Sequence, residues 1–116
     1  MKKKIKPWGY EKLVELNKNY LVKILFMKKN HRCSLQYHNK KKETILVLNG
    51  KLQIELQNKY KKKIIITKKT LIKNQSITIK PRQIHRMKGI TNCLYMEAST
   101  PQNKDVVRLA DDYKRV

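Results

Sequence analysis

The clearest pattern in the chain is strict alternation. From Lys51 to Gln57 every second residue is apolar, with Leu52, Ile54 and Leu56 set against Lys51, Gln53, Glu55 and Gln57. Successive side chains of a strand point to opposite faces, so this run predicts a strand that is buried on one side and wet on the other. Tyr10–Leu16 alternates more loosely and suits an edge strand. Tyr20–Met27 is apolar except for Lys23 and reads as a buried strand. Glu43–Leu48 places Glu43, Ile45 and Val47 on one face and Thr44, Leu46 and Leu48 on the other. Both faces are largely apolar, which predicts cover on both sides. Shorter extended runs follow the same logic at Arg32–His38, Ile64–Ile66, Thr70–Lys73, Ser76–Lys80, His85–Met87 and Cys93–Ala98.

Turn signals separate these runs. Pro7 and Gly9 bend the start of the chain, Asn17-Lys18-Asn19 and Lys28–His31 follow, and Asn39–Lys42 precedes Glu43. Asn49-Gly50 is a strong hairpin signal. Asn58–Lys63 reads as a basic loop, Asn74-Gln75 and Lys88-Gly89 as turns, and Pro81–Ile84 as a bend. The tail from Thr100 to Val116 changes character: Pro101 opens it, and three of the eight acids lie in it. Asp105–Tyr113 has the makings of a short helix capped by Asp105. About ten short strands with frequent turns predict an all-β barrel or sandwich. The 116 residues suit one domain, 1–116, with a modest core.

Charge adds a question. The formal net charge is +21, from 29 basic and 8 acidic residues. Clustered cations neutralise phosphates and release counterions, so a polyanion partner is one reading. Composition offers another. Lys, Asn and Ile number 24, 9 and 12, as an AT-rich genome would dictate, and only five of the basic residues are Arg. Lys2–Lys4, Lys40–Lys42 and Lys61–Lys63 fall at a terminus or a turn, where solvated lysines are expected. No recognition motif for nucleic acid accompanies them. A positive field would still draw in a phosphorylated small molecule. Cys33 and Cys93 lack paired-ligand spacing and read as buried free thiols. Neither a signal peptide nor a membrane-length apolar run is visible, so the expected setting is the cytoplasm.

The candidate chemistry lies between Arg32 and Gly50. Gln36 and His38 are two apart in a strand and point into one space, and Glu43 can return into it across the turn. His85 follows the Pro81 bend, which can carry it to the same place. One amide, two imidazoles and one carboxylate, with no thiolate, suit a divalent ion such as Zn, Mn, Fe, Co or Ni. Glu97 and His31 are candidates for moving a proton, with structural roles as the alternative. Arg32 can contact a phosphate or pair with a neighbouring acid, and Arg108 carries the same two readings.

These residues resemble a known family. Asn30, Gln36, His38, Glu43 and Gly50 reproduce without a gap the spacing of the first cupin motif, Gly-x5-His-x-His-x3/4-Glu-x6-Gly, with Asn for the first Gly and Gln for the first His. The second motif, Gly-x5-Pro-x-Gly-x-x-His, is looser: Asn74 stands near its first Gly and His85 at its His, Pro81 is shifted by one, and the inner Gly is missing. Lys6–Glu11, Arg32–His38 and Asp105–Arg115 look like the type II mannose-6-phosphate isomerase domain and its small free-standing relatives, where Gln also replaces that His. Lys114 departs from the Gly usual in that tail. The resemblance implies a single cupin-type β-barrel (a double-stranded β-helix, or jelly roll) and one divalent metal held by Gln36, His38, Glu43 and His85. It also implies interconversion of mannose 6-phosphate and fructose 6-phosphate, the metal polarising the carbonyl and stabilising the enediolate. Other cupin chemistry, or sugar binding without turnover, stays open. The outer face of Leu46 and Leu48, with the resemblance, points to a homodimer through sheet packing or an exchanged first strand.

Overall fold

The alternating runs do become strands. The computed structural model describes residues 1–116, which form eleven strands and no helix. They are β1 (Lys2–Lys6), β2 (Gly9–Leu16), β3 (Leu21–Met27), β4 (Leu35–His38), β5 (Glu43–Asn49), β6 (Leu52–Tyr60), β7 (Lys63–Leu71), β8 (Ser76–Ile79), β9 (Ile84–Gly89), β10 (Cys93–Ser99) and β11 (Val106–Ala110). One antiparallel sheet runs β1-β2-β3-β10-β5-β8, and the other β11-β4-β9-β6-β7.

Inward positions of both sheets make one core. Leu25, Met27, Ile45, Val47, Cys93 and Tyr95 come from the first sheet, and Leu52, Ile54, Leu71 and Met87 from the second. The inner faces are graded along the strands. Met27 opposite Cys93 gives way, along the same two strands, to Lys23 opposite Glu97. Likewise Met87 opposite Ile54 gives way to His85 opposite Leu56. One end of the barrel is thus an apolar plug, and the other collects polar side chains. Gly9 permits this closure, because a methyl there would collide with the carbonyl of Phe26. No helix is present to cross a membrane.

Four sequence expectations are corrected. The tail is not helical: Val106–Ala110 pairs with β4, with Val106 opposite His38 and Arg108 opposite Gln36. Vacant hydrogen-bonding groups on the edge of β4, together with β-branched Val106 and Val107, outweigh the weak capping signal of Asp105. Lys2–Lys4, expected as solvated lysines at a terminus, belong to a strand on β2, with Lys3 lying over the Tyr10 ring at 4.3 Å. The basic loop is mostly strand, since β6 runs on to Tyr60, only Lys61 and Lys62 turn, and β7 fuses the two runs expected there. Lys88-Gly89 ends β9 and does not form a turn of its own.

Backbone strain accompanies the missing glycines. Asn30, Asn74, Arg82 and Lys114 all have left-handed φ values, of 64°, 69°, 64° and 59°. Residue 82 is where the inner Gly of the second motif would fall. So each departure from a motif glycine keeps the glycine's backbone. Asn bears this conformation best among non-glycine residues, and Arg and Lys bear it less well. The backbone N–H of Arg82 donates to the His38 carbonyl at 2.7 Å, which holds the bend in place. Left-handed backbone costs an L-residue about 1–2 kcal/mol, and glycine's extra unfolded-state freedom offsets about half of that. Arg82→Gly should therefore stabilise the protein by about 0.5–1 kcal/mol in urea unfolding; a loss of stability would show that the Arg82 side chain, not its backbone, matters.

Candidate metal centre

The polar end of the barrel is built on the strands that carry the alternation. β4 supplies Gln36 and His38, β5 supplies Glu43, β9 supplies His85 and β10 supplies Glu97. Gln36 is directly opposite His85 in the pairing of β4 with β9. The rings of His38 and His85 stack with centroids 5.7 Å apart. One ligand atom from each of His38, Glu43 and His85 lies within 4.8 Å of the others, and all three residues are buried. Gln36 lines the same cavity, of about 290 Å³, and its amide oxygen accepts from Ser34 Oγ at 2.7 Å.

Hydrogen bonding fixes which nitrogens face inward. His38 Nδ1 lies 2.9 Å from Asp105 Oδ1 and His85 Nδ1 lies 2.9 Å from the Gln83 carbonyl. A carboxylate and a carbonyl only accept, so each Nδ1 carries the proton and each Nε2 presents a lone pair. Burial pushes His38 below its ordinary value, with Lys41 adding to the effect, so its ring is neutral at pH 7. His85 Nε2 is 3.2 Å from Glu43 Oε1, yet neither atom has a hydrogen-bond partner. Two lone-pair bearers face each other in a buried site. That arrangement is costly alone and is satisfied by a cation between them. The residues present therefore fit a divalent metal held by nitrogen and oxygen donors.

The surrounding charges suit the same purpose. Burial works to raise the Glu43 carboxyl, but its polar neighbours, the Lys41 ammonium at 3.6 Å among them, hold it down to about 2. Lys41 is buried between two carboxylates, 3.6 Å from Glu43 and in a shorter ion pair with Glu97. Burial works to lower Lys41, but Glu97 and Glu43 outweigh it and raise it. Glu97 itself is raised, first by burial and then by Glu43. Around the cavity stand six further cationic side chains, Lys4, Lys6, Lys23, Lys104, Arg108 and Arg115. Arg108 Nε and the Tyr95 hydroxyl, both from cavity-lining residues, are buried without partners.

Among the expected site residues, the structure brings Gln36, His38, Glu43, His85, Glu97 and Arg108 together. It does not bring His31 or Arg32. His31 Nδ1 donates to the Lys29 carbonyl in an exposed turn, outside the cavity. Arg32 forks onto Asp112, with Nε and Nη2 at 2.6 and 2.8 Å from its carboxylate oxygens. Strand parity fails there because β4 begins only at Leu35, and Cys33 and Ser34 before it are both buried. Sequence reasoning missed Lys41 and Asp105. Lys41 carried a signal, being two residues from Glu43 and so of like parity. Asp105 carried none, since its partners are 64 to 67 residues away.

Asp105 acts through His38. Its second oxygen accepts from the N–H groups of Lys40 and Lys41 at 2.8 and 3.1 Å, so the carboxylate is fixed as it holds the ring. Such partners orient a metal-binding imidazole and raise its basicity. Asp105→Asn should weaken divalent-metal binding by about 10–100-fold in a competitive chelator titration while the far-UV circular dichroism is unchanged. An unaltered affinity would remove the orienting role.

Comparisons with known proteins bear on family and fold. A family model described as "Mannose-6-phosphate isomerase C-terminal" matches residues 1–111. No curated protein matches the chain significantly. Among solved structures, KdgF from Halomonas sp. superposes with a TM-score of 0.75 at 13% identity, over 90% of each chain. The capsular polysaccharide assembling protein CapF from Staphylococcus aureus gives 0.78 at 16% identity, over 93% of this chain but 31% of its own. A Klebsiella pneumoniae protein with a double-stranded β-helix domain gives 0.72 at 15% identity, over 88% of this chain and 80% of its own. At these identities the likeness is one of fold.

Proposed function

We propose, on the premise that the chain belongs to the mannose-6-phosphate isomerase C-terminal family of cupins, that it is a metal-dependent protein acting on a sugar phosphate, with aldose–ketose isomerisation as its reaction. One observation carries this reading. Gln36, His38 and Glu43 line one cavity together with a wall of cationic side chains, and His85 lies 3.2 Å from Glu43.

The two halves of that cavity suit two parts of one ligand. Gln36, His38, Glu43 and His85 would hold the metal. Arg108, whose Nε has no partner within the protein, and Lys4, Lys6 and Lys104 match a phosphate dianion. A bound divalent cation supplies Lewis-acid polarisation of a substrate carbonyl. Isomerisation then takes a proton from C2 of the aldose and returns one to C1, while the hydroxyl proton passes from O2 to O1, with no net oxidation. Glu97 would take the carbon-bound proton, a reading supported by its burial, its place on the cavity wall and a carboxyl raised above its ordinary value by burial. Lys41 neutralises it and orients it.

A second reading rests on that same ion pair. Glu97 bound tightly to Lys41 is a poor proton acceptor, so the cavity would bind a sugar phosphate without turning it over. The two separate in a coupled assay. Purified protein should carry about one divalent metal per chain, and His85→Ala should lose it. With Zn, Mn, Co or Fe supplied, the wild type should convert mannose 6-phosphate, and Glu97→Gln should lower kcat by about 100-fold or more. Metal binding and sugar-phosphate affinity without turnover would favour the binding module. Retention of metal by His85→Ala would sink the site assignment.

A further inference from the structure

The β6–β7 hairpin is longer than the sheet that carries it. β9 pairs with β6 only from Leu52 to Gln57. Beyond that, Asn58, Lys59 and Tyr60 pair solely with Ile65, Ile64 and Lys63. The distal hairpin is therefore a two-stranded ribbon with no third strand, and β7 is the terminal strand of its sheet. A ribbon of this kind gains little stability in water by itself.

Its surface combines exposed aliphatic side chains with lysines. Tyr60, Ile64, Ile65 and Ile66 are 63, 68, 48 and 55% exposed. Alternation along β7 puts Ile64 and Ile66 on one face and Ile65 on the other, so both faces are apolar. Lys59, Lys61, Lys62, Lys63, Lys68 and Lys69 are interleaved with them, and no acid occurs from Leu56 to Leu71. Branched aliphatic side chains outside the core, ringed by lysines alone, form an amphipathic basic tip.

We propose that this ribbon docks the protein on an anionic lipid surface, the isoleucines and Tyr60 entering the headgroup boundary and the lysines meeting the lipid phosphates. Charge complementarity selects a negative partner. The apolar residues select lipid among the negative partners. An isoleucine side chain neither stacks on a base nor hydrogen-bonds a phosphate, and only Tyr60 offers a ring, so nucleic acid would leave most of this surface unused. Lipid rewards exposed aliphatics and lysines together. A second copy fits poorly, because two ribbons would bring their lysines face to face. The notion is independent of the metal site, which uses other strands.

Co-sedimentation of the full chain with vesicles tests it, using phosphatidylcholine alone and phosphatidylcholine mixed with phosphatidylglycerol. Partitioning should favour the anionic vesicles by about tenfold or more and fall with added salt. The triple change Ile64→Ser, Ile65→Ser, Ile66→Ser should reduce it by about tenfold, as should Lys61→Gln, Lys62→Gln, Lys63→Gln. Both variants should keep the wild-type melting temperature within a few degrees, because these side chains lie outside the core. Equal binding to neutral vesicles, no binding, or undiminished binding by the isoleucine variant would overturn the proposal. So would ribbon-dependent binding to duplex DNA or polyglutamate in preference to vesicles, or a ribbon-dependent dimer in light scattering.

Discussion

Glu43 is 2% exposed, and a lone charge at such a depth would be driven to take up a proton. Its neighbours prevent this. The buried Lys41 ammonium, 3.6 Å away, favours the ionised form against the cost of burial. The same few contacts set most of the polar end of the barrel. Lys41 can be buried only because Glu43 and Glu97 flank it, and removing it would leave two buried carboxylates without their shared cation. The apolar plug of Met27, Val47, Ile54, Met87 and Cys93 gives this cluster a fixed frame. Order at one end of the barrel thus underwrites charge at the other.

The lysine-rich composition has no single meaning across the molecule. Lys41 is internal and paired. Lys23 reaches Glu11 at 3.4 Å on the cavity wall. Lys4, Lys6 and Lys104 line the mouth without such close acidic partners and leave the cavity cationic. The lysines of the β6–β7 tip belong to a separate surface. A genome-wide drift toward lysine would spread charge evenly. What the fold adds is location, since some of these ammonium groups converge on an enclosed space and others surround exposed aliphatics.

Much of this was legible in the sequence because the relevant information was local. The period-two runs gave the strands, and the motif spacing placed Gln36, His38, Glu43 and His85 on common inner faces. Illegible features depended on distant pairing. The tail looked like a capped helix because a helix signal is local, whereas the free edge of β4 that captures Val106–Ala110 is not. Arg32 seemed to share the inward parity of His38, but two buried residues in succession, Cys33 and Ser34, break the count. Lys2–Lys6 carried too many charges to read as a strand until β2 supplied its partner. The substituted glycines marked departures from the motifs without showing what the backbone does there. The left-handed backbone at Asn30, Asn74, Arg82 and Lys114 shows that loop shape survived and that local strain took its place.

The bond from Asp105 to His38 also sets a schedule. Gln36, His38, Glu43 and His85 are all synthesised before residue 86, ahead of β10, which joins β3 to β5, and of β11. Until Asp105 has been made and β11 has docked on β4, the His38 ring has no carboxylate to choose its tautomer. Metal loading in the growing chain would meet an imidazole free to turn. The centre is completed from downstream: its ligands come first along the chain, and the carboxylate that fixes the His38 ring follows them.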